Sequence, residues 1–202
     1  MNTEEIVTAY RELLEEVSTE ADRLGDLYKV HMVCRKGCSD CCSDISLLPL
    51  EWFALNEAHK QKPSPNTPEQ AAMQPADRSD DRTVEAAAGK CPLLHEDSCT
   101  LYPFRPLICR THGLPLLYLI EEYDSKGQRT GTEEPEWQIS WCDLNFTEVT
   151  EDNMEEIFDP EDVLNMEEWN TRLKELNRAF LDTPEGRDFN GENRIPIAEI
   201  LS

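Results

Sequence analysis

Apolar residues at Ile6, Tyr10, Leu13, Val17, Ala21, Leu24 and Tyr28 recur three or four positions apart, with charged residues between them. That spacing lines one face of an α-helix. No proline interrupts it, so a long amphipathic helix is predicted over residues 3–31, within an N-terminal helical segment 1–33. A stripe this regular is ordinarily a packing face; a surface for a partner helix is the rarer use. A second helix is predicted from Pro49, where PLEWFALNEA puts proline in the first turn, a place that tolerates its missing N–H. Residues 114–123 and 136–146 are apolar and aromatic runs joined by a Gly-containing connection, which predicts a β-hairpin. Asp159 and Pro160 supply a cap and a first-turn proline for a last long helix. Met166, Trp169, Leu173, Leu176 and Phe180 form its expected buried stripe. The tail from Pro184 is expected to be extended and held in part by Ile195, Ile197 and Ile200. No internal repeat is visible.

Between the second helix and Cys91 the pattern dissolves. Residues 62–88 are rich in Pro, Ser and charge, which predicts a flexible acidic insert, a loop over 62–83 with room for a short helix near 85–88.

Charge narrows the function. With 42 acidic against 19 basic residues, a formal net charge of −23, the surface repels phosphate backbones and anionic lipid. Neither a nucleic acid nor a membrane is therefore an expected partner, and the acidity itself is the usual solvated surface. The opening MNTEEIVTAYRELLEE is acidic and lacks the apolar run of a secretory signal. The longest apolar-rich run, residues 114–120, contains Pro115 and is too short to span a bilayer. A cytoplasmic protein is expected.

CRKGCSDCC, residues 34–42, then changes the picture, because it holds four of the eight cysteines. The full order is Cys34-x3-Cys38-x2-Cys41-Cys42, then Cys91-Pro, Cys99, Cys109-Arg and Cys142. A buried cysteine is usually only a small hydrophobe, but seven in two tight groups exceed a chance core composition. Cytosolic thiols stay reduced, which argues against disulfides. One C-x-x-C in a βαβ setting would suggest a thioredoxin-like dithiol, and a cysteine hydrolase needs one nucleophile with a paired His. Neither fits. Metal ligation does, since two residues between cysteines let both sulfurs converge on one centre. The expected ligands are Cys34, Cys38, Cys41, Cys42, Cys91, Cys99 and Cys109, with Cys142 and His112 of lower rank. Zinc usually draws on two C-x-x-C knuckles, whereas only Cys38 and Cys41 keep that spacing here. The thiols outnumber one zinc's needs, and softness alone does not separate zinc from iron–sulfur.

CRKGCSDCC, CPLL and SCTLYPFRPLICR together resemble the YkgJ-type cysteine-cluster family, named for zinc or iron chelation. The matching positions are Cys38, Cys41, Cys42, Cys91, Cys99, Tyr102, Arg105, Pro106, Cys109 and Arg110, within residues 34–112. The cluster is also similar to one in flagellin lysine methylases. That similarity implies an iron–sulfur site without implying their activity.

The residues among the cysteines have their own reading. Pro106 pre-sets the first turn of a short helix presenting Cys109 and Arg110. Arg105 and Arg110 are fixed positive charges placed to hold a cofactor's thiolate shell; the competing use is pairing with surface carboxylates. His95 is expected to be exposed, and His31, His59 and Glu51 to be helix or solvent residues. The fold class expected is α-rich α+β, a cysteine-rich metal-binding core flanked by long N- and C-terminal helices with a small β-hairpin. Its single domain, 1–202, divides into 1–33, the metal-binding core 34–112, hairpin and helix 113–182, and tail 183–202. The cofactor expected is an iron–sulfur cluster or iron, with zinc as alternative. Its role would be redox or accessory to an enzyme, with a protein or redox partner. The alternative is a structural zinc module serving as an interaction platform. No phosphate loop, dinucleotide fingerprint or nucleophile elbow assigns a reaction. The two cysteine groups are expected to meet at one shared centre.

Overall fold

The first helix, α1 (Thr3–Leu27), starts on a reciprocal cap: Asn2 Oδ1 accepts from Glu5 N–H at 2.9 Å, and Glu5 Oε2 accepts from Asn2 N–H at 2.8 Å. The structure, a computed structural model, describes residues 1–35, 37–43, 45–61, 90–120, 135–150 and 152–201. The expectations for 62–83 and 85–88 lie outside them. α1 ends four residues short of the predicted 31, and turns follow. Its last turn has no basic residue, and Asp26 places a negative charge at the helix end whose dipole disfavours one.

α2 (Pro49–Gln61) begins at the proline. Its first free donors are satisfied from elsewhere: Leu50 N–H donates to Oδ1 of the buried Asn177 at 3.0 Å, and Leu48 N–H to Glu51 Oε2 at 3.2 Å. Two short helices follow, α3 (Leu107–Thr111) and α4 (Met154–Ile157), and then the long α5 (Met166–Leu181). The last helix therefore starts later than Asp159. Asp159 caps a 3-10 turn over Pro160–Asp162 instead. Leu164–Asn165 then runs extended to join a sheet, and Asn165 Oδ1 becomes the true cap by accepting from Glu167 N–H at 3.1 Å.

That sheet has three strands in the order β5-β4-β6. β4 (Leu116–Ile120) pairs antiparallel with β5 (Glu136–Ser140), Leu116 opposite Ser140, and parallel with β6 (Leu164–Asn165). Two further sheets have two strands each: β1 (Ser46–Leu47) with β7 (Ile195–Pro196), and β2 (Leu94–His95) with β3 (Ser98–Cys99). The fold is α+β with small sheets.

Two apolar cores result. The larger joins Ile6, Tyr10, Leu13, Val17 and Leu24 of α1 to Met166, Leu173 and Phe180 of α5. An aromatic group of Tyr28, Phe146 and Phe158 packs into it, ring edges toward faces, with centroids 5.1–5.7 Å apart. The smaller joins Leu47, Leu55, Leu93, Leu101, Ile197 and Ile200, with Cys91 and Cys99 against it. The tail is thus an integral part of this second core. Among the described residues no helix is long and apolar enough to cross a membrane.

Candidate metal centre

Tight turns fold the first cysteine group back on itself. Cys38 N–H donates to Arg35 O at 3.0 Å, Cys42 N–H to Ser39 O at 2.9 Å and Ser43 N–H to Cys41 O at 3.0 Å. The second group is then fastened directly to the first, because Cys91 N–H donates to Cys42 O at 3.0 Å and Ser43 bridges to Lys90. From Cys91 the chain makes the β2–β3 hairpin, turning through Glu96 and Asp97 at φ of 49° and 55°. Two consecutive left-handed residues make the tight turn that suits paired strands, and aspartate accepts that conformation more readily than most, while Glu96 is carried into it by the turn. This hairpin, which the sequence analysis did not anticipate, seats Cys99 opposite Leu94. Leu101 anchors the chain in the second core, and Pro106 caps α3, which carries Cys109.

The thiols sense one another. Burial pushes the Cys109 thiol up to about 12, reinforced by Cys91, Cys42 and Cys99, while Arg105 opposes the shift. Burial also raises Cys42; its contact with Cys41 works the other way, Cys91 and Cys99 add to the rise, and Arg105 counters it. Cys41 is pushed up to about 11 by burial, then by Cys42, and more weakly by Cys38 and Cys34. Cys42, Cys91, Cys99 and Cys109 thus form one neighbourhood, with Cys41 joining it to Cys38 and Cys34. No disulfide joins any of the eight cysteines. Among the described residues no group of three or more His, Cys, Asp or Glu side chains stands ready-made to hold a metal ion. The thiols are neighbours without yet forming a closed cage.

The two arginines sit differently. Arg105 lies over the Tyr102 ring, 3.6 Å from its centroid, and donates through Nη1 to Cys109 O at 3.0 Å, so its charge falls on the thiols. Arg110 is spent as a clamp: Nε donates to Arg105 O at 2.7 Å, Nη2 to Pro103 O at 2.7 Å and Nη1 to Ser18 Oγ of α1 at 2.6 Å. His112, just past α3, still meets solvent, and its partial burial lowers its pKa. Cys142 follows β5 and is only partly exposed.

Asn145 is the residue that the sequence reading missed. Its side chain is 1% exposed and ties three segments together. Oδ1 accepts from Val33 N–H at 2.9 Å, while Nδ2 donates to Gly113 O at 2.7 Å and to Cys34 Sγ at 3.3 Å. Gly113 has to be glycine there: φ is 98°, and a Cβ would fall 2.9 Å from Cys34 Sγ. An Asn three residues after Cys142 was the only available signal. Glu51 also departs from expectation. It is 2% exposed, because Oε1 accepts from Leu107 N–H at 3.3 Å while Oε2 caps its own helix. It fastens α2 to the start of the helix that presents Cys109. His31 lies beyond α1, stacks on Phe146 and pairs with Glu148, and His95 is exposed. His59 keeps a buried Nδ1 without a partner among the described residues.

A family model named CxxCxxCC, described as "Putative zinc- or iron-chelating domain", matches residues 33–143. The chain belongs to this family. No curated protein and no solved structure matches it. The CxxCxxCC match encloses all eight cysteines, Cys142 included, and so runs beyond the 34–112 stretch that carries the obvious motifs. Metal binding is the family's shared character, and it accords with the donor set here. In this CxxCxxCC domain the first spacing is three residues, and Gly37, at φ of 93°, sits inside it.

Proposed function

We propose that Cys38, Cys41, Cys42, Cys91, Cys99 and Cys109 hold one shared iron–sulfur or iron centre, with Cys34 at its edge. The carrying observation is that the two cysteine groups are fastened to each other, Cys91 N–H donating to Cys42 O at 3.0 Å, and that Cys42, Cys91 and Cys99 lie near enough to Cys109 to help burial hold its thiol pKa up. Thiols that repel each other as thiolates are the set a cation stabilises most, because its charge favours the deprotonated form of all of them together. When bound, such a centre supplies electron-transfer chemistry. The chain supplies the rest. Cys109 lends a buried sulfur, Arg105 offsets thiolate charge, and Arg110 and Glu51 hold α3 in place. The resemblance to iron–sulfur cysteine clusters, together with thiols to spare beyond one four-ligand set, tilts the choice to iron, and Cys34 and Cys41, both exposed, give such a centre an edge toward solvent. The role would be redox or accessory to an enzyme in the cytoplasm, with a protein as partner, since the charge of −23 disfavours nucleic acid and membrane.

A second reading has its own observation. Cys109 with its neighbours Cys42, Cys91 and Cys99 would equal the complement of a structural zinc, and Tyr102 and Phe104, between Cys99 and Cys109 in the chain, are 59% and 47% exposed. That pairing suits a zinc module offering a surface to a partner.

Anaerobic purification followed by metal and acid-labile sulfide analysis separates the two. Iron with sulfide and charge-transfer absorption near ~400 nm supports the first reading. A colourless protein with stoichiometric zinc overturns it in favour of the second.

A further inference from the structure

A cleft of about 290 Å³ opens where α2, α3, β4 and α5 meet. Leu107 and Ile108 of α3 form one side of it, but none of the cysteines lines it. Its apolar lining comes from the half-buried Ile108 and Tyr118, backed by Leu48, Leu107, Met166 and Leu173, which are nearly fully buried. Two cations, Lys174 and Arg194, also line it and both reach solvent. In a chain with 19 basic and 42 acidic residues, two cations on one small cleft run against the composition.

Neither cation makes an ion pair there, although Arg194 lies near enough to Glu51 to hold that carboxyl's pKa down against its burial. Arg194 is held in place by Ser46 O, to which Nε and Nη2 donate at 3.1 and 2.8 Å, and neither bond uses Nη1. Lys174 pairs with no carboxylate among the described residues. The one carboxylate on the lining, Glu51, already accepts from backbone N–H groups on both oxygens. An uncharged hydrocarbon would leave the cations unused, and a bare inorganic anion would leave the apolar wall uncovered.

We infer that this cleft binds a small organic carboxylate with an aliphatic body, its chain against Ile108 and Tyr118 over the buried leucines and its carboxylate on Lys174 and Arg194. The volume lies at the lower end of ligand sites, roughly 300 Å³ upward, so the ligand is small. The site is separate from the thiols and stands whether the metal is iron or zinc.

Equilibrium dialysis of the metal-loaded full chain against radiolabelled hexanoate tests this. One saturable site is expected, displaced by unlabelled hexanoate but not by hexylammonium. K174Q should weaken binding about tenfold, the worth of one charge-assisted bond of ~1.5 kcal/mol. N170W, which fills the cleft from α5, should abolish binding without removing a charge. Both variants should keep the wild-type metal content and melting temperature. Absence of saturable binding to the wild type, equal competition by hexylammonium, or undiminished binding by both variants overturns the proposal.

Discussion

The core between α1 and α5 draws on residues three and four positions apart along two long helices. The core beneath the cysteines gathers six residues from five short pieces of chain: Leu47, Leu55, Leu93, Leu101, Ile197 and Ile200. Each helix of the first core fixes many apolar side chains through its own hydrogen bonds. In the second core nearly every residue needs a separate loop closed to deliver it, and closing loops costs chain entropy that few side chains repay. The two are joined through α2, whose Leu50 packs into the first and Leu55 into the second. The difference teaches where a tie through the thiols would matter most: in the second core, which has the less local order of its own.

Removing that tie should have the largest effect. Structural metal sites contribute roughly 10 kcal/mol or more of binding free energy to folding. Chelation, or Cys109→Ser, should strip hydrogen-exchange protection from residues 91–101 and 195–200 while α1 and α5 stay protected. Uniform loss of protection across both cores would show that they are one cooperative unit.

Next come the cores themselves. Phe180→Ala should cost about 3–5 kcal/mol with or without metal, and Ile197→Ala about 2–5 kcal/mol in the loaded protein only. Denaturant melts of all four species measure this, and an equal Ile197→Ala cost in the apo form contradicts the comparison. Asn145→Ala should cost about 1–3 kcal/mol by leaving Val33 N–H and Gly113 O without partners. It should also reduce metal retention at Cys34, read by metal analysis after dialysis.

Glu51→Gln carries the smallest and most pH-dependent effect. Burial raises the Glu51 pKa, so its folded-state value lies above the unfolded one. The stability it contributes is complete below the usual glutamate value and is lost as pH rises through the raised one. Gln does not titrate, but its amide NH2 cannot accept one of the two backbone bonds, a constant cost of about 1 kcal/mol. The variant's deficit should therefore shrink between mildly acidic and neutral pH. A deficit that stays flat across that range would show that Glu51 does not titrate with folding.

Much of this was legible from residue order. α1 announced itself because a period of 3.6 repeats long enough to dominate its neighbours, and Pro106 marked α3 because proline fits a helix start. Its family-like cysteines were legible as well. Other features were not. The β2–β3 hairpin has strands of two residues, too short for any alternation to show. Asp159–Pro160 carried a valid start signal, but pairing of Leu164 with β4 overrode it, and the helix waited for Asn165. Asn145 and Asn177 did not stand out in the sequence, since nothing in their neighbours foretells the distant backbone groups they satisfy. The division of labour between Arg105 and Arg110 depends on side-chain direction, which spacing does not encode.

The pairing of β1 with β7 has a consequence in time. Ser46 and Arg194, bonded at the edge of that pair, are 148 positions apart. A ribosome adding ~5–20 residues per second needs roughly seven to thirty seconds to travel that far. For most of that interval the first cysteine group has emerged while Ile197 and Ile200, which close the core beside Cys91 and Cys99, have yet to be made. The thiols thus pass through a vectorial window of exposure to oxidants and to the wrong ions. Delivery of the right metal has to be matched to the end of synthesis rather than to the emergence of its ligands.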